Sequence, residues 1–389
     1  MEQSDRNMYQ YAVELAHRFI ITDGHVDLPY RLKVKNFRLD REYMGIPIHT
    51  TEGDFDYERA KQGGLDAPFM SIFIPSSYQQ NLESAHDLAD TLIDMIHGIV
   101  DALPDKFGRG ESPEMIEANF EKGFISLPMG MENGAPLLTL EDIRYYYDKG
   151  IRYVTLTHGK DNQICDSSYD TTATWGGLSP YGYKVVAEMN RVGMIVDVSH
   201  ISDSTFYQVM RVSKAPVLAT HSSCRVFTPG WQRNMSDDMI MELGRKDGVI
   251  QINFGSDFLD AAISKAKTAN RLELDSLLTQ AGLKADDTLA KPIIEQFRKD
   301  HPNLYSDVQR VADHIDHVVK LAGIDHVGLG SDFDGVGDSL PTGLKDVSMY
   351  PNLIYELLKR DYSEEDIEKI CYKNVWRVWH KVNEVASSK

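Results

Sequence analysis

The sequence predicts a (β/α)8 TIM-like barrel, with a helical insertion between the seventh and eighth strands and extra helices at both termini. Three observations predict it. Eight short apolar runs alternate with stretches of helical periodicity over 389 residues, a length that suits one large α/β barrel carrying insertions. In the stretch Gly193–Ser223, the runs Met194–Val198 and Ala215–Ala219 are each followed by a small polar residue and a histidine, His200 and His221. Between them Ser202 reads as an N-cap, and Phe206, Val209, Met210 and Val212 mark one helical face. Parallel βαβ units are right-handed almost without exception, so both imidazoles emerge at the C-terminal ends of neighbouring strands. Finally, ionisable residues recur at that same end of other runs, where functional groups of such barrels gather.

In chain order, Ser4–Arg18 reads as a leading helix capped by Ser4, with Tyr9, Ala12, Val13 and Phe19 on its apolar side. Phe19–Thr22 is the first run and leads into DGHVDLP, which sets His25 and Asp27 just beyond a strand. Residues i and i+2 of an extended chain point the same way, so this pair can face one ion. The segment Asn36–Gly64 is polar and turn-rich, an excursion over the strand ends. Ala67–Pro75 is the second run, and a helix over Leu82–Ala102 keeps Ala85, Leu88, Leu92, Met95, Ile96 and Ile99 at helical spacing.

The third run, Phe124–Met131, delivers Glu132, which taken alone reads equally well as a helix-capping or salt-bridged carboxylate. Thr139–Asp148 is a short helix, and Ile151–Thr157 is a strand ending at His158. Gly159–Gly177, long and polar with Trp175, is expected to lie over the site as a loop. Tyr181–Arg191 is the helix returning to the histidine-bearing units. Beyond His221 come Arg225 and Arg233, and Ser236 caps a helix with Asp237 and Asp238 in its first turn. Gly248–Phe254 is the seventh run. Residues from about 257 to 321 are helical and charged, longer than one crossover needs, and read as the insertion. His326–Gly330 delivers Asp332 and Asp334 in GSDFDG, and helices near Pro351–Arg360 and Ser363–Val382 close the chain. Residues 1–389 are read as a single domain.

Composition narrows the function. A formal charge of −18 with no basic stripe argues against nucleic acid as a partner. The three cysteines, Cys165, Cys224 and Cys371, are widely spaced with no CxxC pair, so neither a disulfide framework nor a thiolate zinc site is indicated, and any metal has nitrogen and oxygen ligands. No apolar run reaches the length of a membrane span, and MEQSDRNMYQ lacks the order of a signal peptide. The expectation is a soluble, cytoplasmic protein, with a secreted or periplasmic location left open for a chain whose leader has been trimmed. A homodimer is compatible with the sequence.

His25, Asp27, Glu132, His158, His200, His221 and Asp332 all fall at the C-terminal ends of their runs, a coincidence stronger than any one motif. The stretches DGHVDLP, MENG, LTH, GLSPYG, EMNRVGMIVDVSH, THSS, RNMSDD and GLGSDFDG, in this order from residue 23 to residue 335, resemble the membrane dipeptidase (renal dipeptidase) family of zinc metallopeptidases. The resemblance implies two zinc ions per chain: His25 and Asp27 on one, His200 and His221 on the other, and Glu132 bridging. It further implies His158 for the substrate carbonyl, Arg233 for the substrate carboxylate and Asp332 for proton transfer. The loop GKDNQICDSSYD after His158 departs from the family pattern, and Gly255 and Phe258 stand where mammalian members carry tyrosines near the substrate.

The expected chemistry is hydrolysis of dipeptides with a free C-terminal carboxylate, by a hydroxide shared between two zinc ions that lower its pKa. Arg225 is the other candidate for the carboxylate clamp, and both arginines can alternatively balance Asp237 and Asp238 at the surface. A related amidohydrolase acting on β-lactams, N-acyl amino acids or cyclic amides would use the same attack without needing the clamp. A barrel that had lost catalysis and served as a scaffold would be expected to lack ligands, and none is missing.

Overall fold

The computed structural model describes residues 3–34 and 45–388. Its centre is an eight-stranded, wholly parallel sheet. The strands, Ile21–Val26, Leu65–Phe73, Met129–Glu132, Ile151–Thr155, Ile195–Asp197, Leu218–Ser222, Val249–Ile252 and Val327–Leu329, neighbour one another in chain order. The eighth meets the first just beyond its end, where Asp27 N–H donates to Phe333 O at 2.8 Å and Asp332 N–H donates to His25 O at 3.0 Å. The result is a nearly closed (β/α)8 barrel.

Why these segments form strands is clearest at the strand ends. Every residue of Ile21–Val26 and of Leu218–Ser222 is buried, polar ones included. The first strand therefore runs through Thr22-Asp23-Gly24-His25 and the sixth through Thr220-His221-Ser222, so His25 and His221 lie inside strands and not beyond them. Polar side chains persist there because the barrel satisfies them: Asp23 accepts from the backbone N–H of His25 and Ser331. Gly24 and Gly330 allow the strands to close in, since a Cβ at either would stand 2.2 or 2.0 Å from Thr220 O.

The third expected run is two strands. Ile125–Leu127 pairs with Phe107–Arg109 in a separate two-stranded sheet, and only Met129–Glu132 enters the barrel. Pro128 divides them, having no N–H to continue a ladder. Ser4 lies inside the first helix, Gln3–Arg18, and does not cap it. The excursion expected over Asn36–Gly64 lies partly outside the described residues; within them Gly45–Ile48 and Tyr57–Gly63 are helical.

Helices cover the sheet as their periodicity predicts. Leu82–Ala102 buries Leu88, Leu92, Ile96 and Ile99. Ser202 caps Asp203–Val212 by accepting from Thr205 N–H, although Val212 is exposed. The C-terminal helix Asn374–Ser387 plugs the N-terminal mouth of the barrel with fully buried Trp379, 5.5 Å from Phe69 between ring centres. Between the seventh and eighth strands, Val308–Ala322 buries Val311, Ile315 and Val318 and is the regular flanking helix. The true addition is Ser256–Leu259, Ala261–Gln280 and Lys291–Asp300; the 20-residue helix among these buries Leu278 alone. Among the described residues no helix is long and apolar enough to cross a membrane.

Candidate active site

The C-terminal ends of the strands deliver their side chains to one buried point. Glu132, at the end of the third strand, is 4% exposed. Its Oε1 lies 3.0 Å from His200 Nε2 and 3.2 Å from His221 Nε2, and its Oε2 lies 3.3 Å from His25 Nε2. Asp27 Oδ2 is 3.5 Å from the same His25 nitrogen, and His158 Nε2 is 3.8 Å from Glu132 Oε1. Among the described residues, three groups could hold a metal ion: His25, Glu132 and His221; Glu132, His158 and His200; His25, Asp27 and Asp332.

Two of the imidazoles, those of His25 and His221, are oriented by a partner at Nδ1. Tyr153 OH donates to Gly24 O, so it accepts from His25 Nδ1–H at 2.9 Å and turns Nε2 towards Glu132. Thr220 Oγ1 likewise donates to Asp197 Oδ2 and accepts from His221 Nδ1–H at 2.8 Å. Partners of this kind orient metal-binding histidines and raise their basicity. His200 and Asp332 each sit in the left-handed region, at φ 67° and 64°. Such backbone is strained for residues with a Cβ and is tolerated where the surroundings hold it.

The electrostatics follow from crowding. Burial pushes the Glu132 carboxyl up, but His25, His158, His200 and His221 outweigh it and hold the group well below its usual range. Burial pushes His158 down, Glu132 opposing and Arg233 adding, so His158 favours its neutral form. Asp332 is pushed up to about 7, chiefly by burial; His25 opposes, while Asp27, Glu132 and the Asn253 hydrogen bond act in turn. That bond runs from Asn253 Nδ2 to Asp332 Oδ2 at 2.8 Å.

Arg233 is also in the site. It is 2% exposed and donates to His221 O at 2.7 Å and to Ser222 Oγ at 2.9 Å, while Nη2 stands 3.1 Å from His200 Nε2. Its Nε is buried without a partner, and its guanidinium lies 5.2 Å from the Phe258 ring centre. Arg225 is not there: it forms a bidentate pair with Asp203 at 2.7 and 2.6 Å. Neither arginine balances Asp237, whose partner is His317.

A cleft of about 440 Å3 opens over these groups, walled by Tyr30, Phe73, Tyr169, Phe258 and Val336. The loop after His158 contributes Tyr169. Ser168 N–H donates to His200 O at 2.7 Å, and Asp161 accepts from the backbone of Ser167 and Thr174, which folds the loop down. Trp175 does not cover the site; its Nε1 donates to Asn162 O and its ring lines a separate groove beside Leu138 and Pro180. Tyr153, Thr220, Asp197, Asn253 and Tyr169 were not singled out from sequence. The only signal for them was position, next to or opposite a strand-end histidine or aspartate.

The comparisons with known proteins agree with this geometry. The family model described as membrane dipeptidase (peptidase family M19) matches residues 9–389. The chain is 33% identical to the dipeptidase aclJ of Aspergillus oryzae over 380 residues, 95% of this chain and 80% of that protein. It is 31% identical to an uncharacterized dipeptidase of Schizosaccharomyces pombe over 386 residues, 95% of this chain and 82% of the relative. In structure it is similar to the probable dipeptidase PvdM of Pseudomonas aeruginosa, with a TM-score of 0.81 at 28% identity, covering 98% of this chain and 100% of that one. A carboxylate ringed by buried histidine nitrogens at the mouth of a parallel barrel, along a chain matched almost end to end, places this protein in the membrane dipeptidase family of metallopeptidases, peptidase family M19.

Proposed function

We propose that the protein is a dinuclear zinc dipeptidase acting on dipeptides with a free C-terminal carboxylate. The observation that carries this reading is the Glu132 carboxylate, buried with its two oxygens 3.0–3.3 Å from three imidazole nitrogens. The donor set fits a borderline cation: neutral imidazole nitrogens and carboxylate oxygens are the ligands zinc accepts. Among the described residues, the buried atoms His25 Nε2 and Asp27 Oδ1 find no hydrogen-bond partner. The space between carboxylates is also kept open, since a Cβ on Gly335 would stand 2.1 Å from Asp27 Oδ2 and 2.3 Å from Asp332 Oδ1.

His25 and Asp27 would hold one ion, His200 and His221 the other, and Glu132 both. Bound zinc supplies a polarised substrate carbonyl and a water acidic enough to be a nucleophile near neutral pH. The remaining work falls to the chain. Neutral His158 donates its N–H to the carbonyl oxygen as negative charge develops there. Asp332 takes the proton of the attacking water and returns it to the departing amine nitrogen. Arg233 binds the terminal carboxylate, and the aromatic wall of Tyr169 and Phe258 limits water around it. A cyclic amide has no use for a buried guanidinium beside His200, and this favours dipeptides over the amidohydrolase alternative.

The test is metal content together with turnover. Metal-replete protein is expected to carry two divalent ions per chain and to hydrolyse L,L or L,D dipeptides far faster than their N-blocked or C-amidated forms. One tightly bound ion per chain, or equal turnover of acid and amide substrates, would overturn the proposal.

A further inference from the structure

Beside the active cleft the insertion encloses a second cavity of about 200 Å3, between the helices Ala261–Gln280 and Lys291–Asp300. Asp257 and Lys267 line both spaces. Ile263, Leu274 and Phe297 give this side cavity an apolar lining, and Lys267, Arg271 and Arg298 contribute its cations. Its two carboxylates are already engaged: Asp257 Oδ2 with Lys267 Nζ at 2.8 Å, and Asp338 with Asn303 Nδ2 at 2.9 Å and Tyr305 OH at 2.8 Å. The side chains of Arg271 and Arg298 make no ion pair or hydrogen bond among the described residues. Both arginines are exposed, so at the edge of this apolar hollow they present two unpaired positive charges that would attract a ligand of opposite charge.

The cavity adjoins the active cleft at Asp257 and Lys267. Asp257 precedes Phe258, and Phe258 packs against Arg233. A dipeptide whose carboxylate is held by Arg233 would set its C-terminal residue near Phe258, on the side of this cavity. We infer that the side cavity is the subsite for the side chain of that C-terminal residue, and that it selects a straight side chain ending in an anion, of which glutamate is the simplest. The methylenes pack on Ile263, Leu274 and Phe297, while the terminal charge meets Arg271 and Arg298. The inference rests on the dipeptidase reading and on the clamp assigned to Arg233.

The test is a panel of zinc-loaded assays on Ala-Glu, Ala-Gln, Ala-Lys and Ala-Ala, each with either configuration at the second residue. Two exposed charges give a modest discrimination, so Ala-Glu is expected to exceed Ala-Gln in kcat/KM by about tenfold, and Ala-Lys by more. Raising salt should bring the Glu to Gln ratio towards one. In the double variant Arg271→Glu, Arg298→Glu, the order of Ala-Glu and Ala-Lys should invert. Equal rates on Glu, Gln and Lys substrates by wild type, or an unchanged order in the double variant, would overturn the subsite. Failure on the whole panel, Ala-Ala included, would remove the dipeptidase reading and the subsite with it.

Discussion

Tyr153 reaches from the fourth strand to the first and fixes the ring of His25 through one hydrogen bond of 2.9 Å, received from Nδ1 while its own proton goes to Gly24 O. The phenol thereby decides which nitrogen of His25 faces Glu132. Tyr153→Phe keeps the ring, which packs over Gly130, and removes only the hydroxyl. Metal affinity and activity are expected to fall by about 10–100-fold, the usual cost of losing such a partner. Competition of the variant and wild type against a chelator measures it, and equal metal affinity would leave Tyr153 a packing residue.

Asp332 is expected to move protons without being needed to hold metal. Asp332→Asn should retain two ions and near-normal KM while kcat falls about 10²–10⁴-fold, the usual contribution of a positioned acid or base. The amide can keep the contact to Asn253 by turning its oxygen towards Nδ2, so folding should be intact. Wild-type turnover in this variant would return the aspartate to a turn-forming role.

Arg233 is expected to support binding more than turnover. Arg233→Lys keeps the charge and loses the planar fork, so KM should rise on dipeptides while kcat changes little. Dipeptide amides, already poor substrates, should be unaffected. Steady-state kinetics on matched acid and amide pairs decides; equal losses on both would mean that the arginine acts through its hydrogen bond to His221 O.

Asp66 gives a pH dependence far from the metal ligands. It is 4% exposed, and burial pushes its carboxyl up to about 7 against the opposing effects of Ile21 N–H and Lys61. The unfolded chain releases this proton near the ordinary value of 3.8, whereas the folded chain holds it until about 7. Between these pH values the folded state binds more protons, so this group's contribution to stability falls as pH rises and is fully lost above 7. Asp66→Asn removes the effect. Relative to wild type, the variant should gain on the order of 3 kcal/mol between pH 4 and pH 8. Urea denaturation of both proteins across that range checks it, and parallel curves would refute it.

The barrel was legible because alternation of apolar runs and helical stretches survives without any contact information. Strand ends were harder. Asp23-Gly24-His25 and Thr220-His221-Ser222 read as loops because polar residues normally end strands, yet here they are paired and buried inside the barrel. Residues of metal-binding type stood out by chemistry and position. Thr220 and Asp197 did not, because a threonine that orients an imidazole differs from any other threonine only in what lies across the strand. Arg225 and Arg233 looked alike in sequence; Asp203, 22 residues before Arg225, separates them.

The seam between the first and eighth strands has a consequence in time. His25 and Asp332 meet through a backbone bond of 3.0 Å although 307 positions separate them, and Glu132, His200 and His221 enter from strands between. Contacts of such separation form late, because the loop closures they require come first. During synthesis the chain therefore carries most of its metal-type ligands for a long interval in which they are not gathered. Metal captured before the last strand docks would be held by partial, open sets of ligands and exchanged readily. Tight retention of such an ion would then mark the moment of ring closure, and metal release during gradual denaturation should report the opening of this one seam ahead of the loss of helical content.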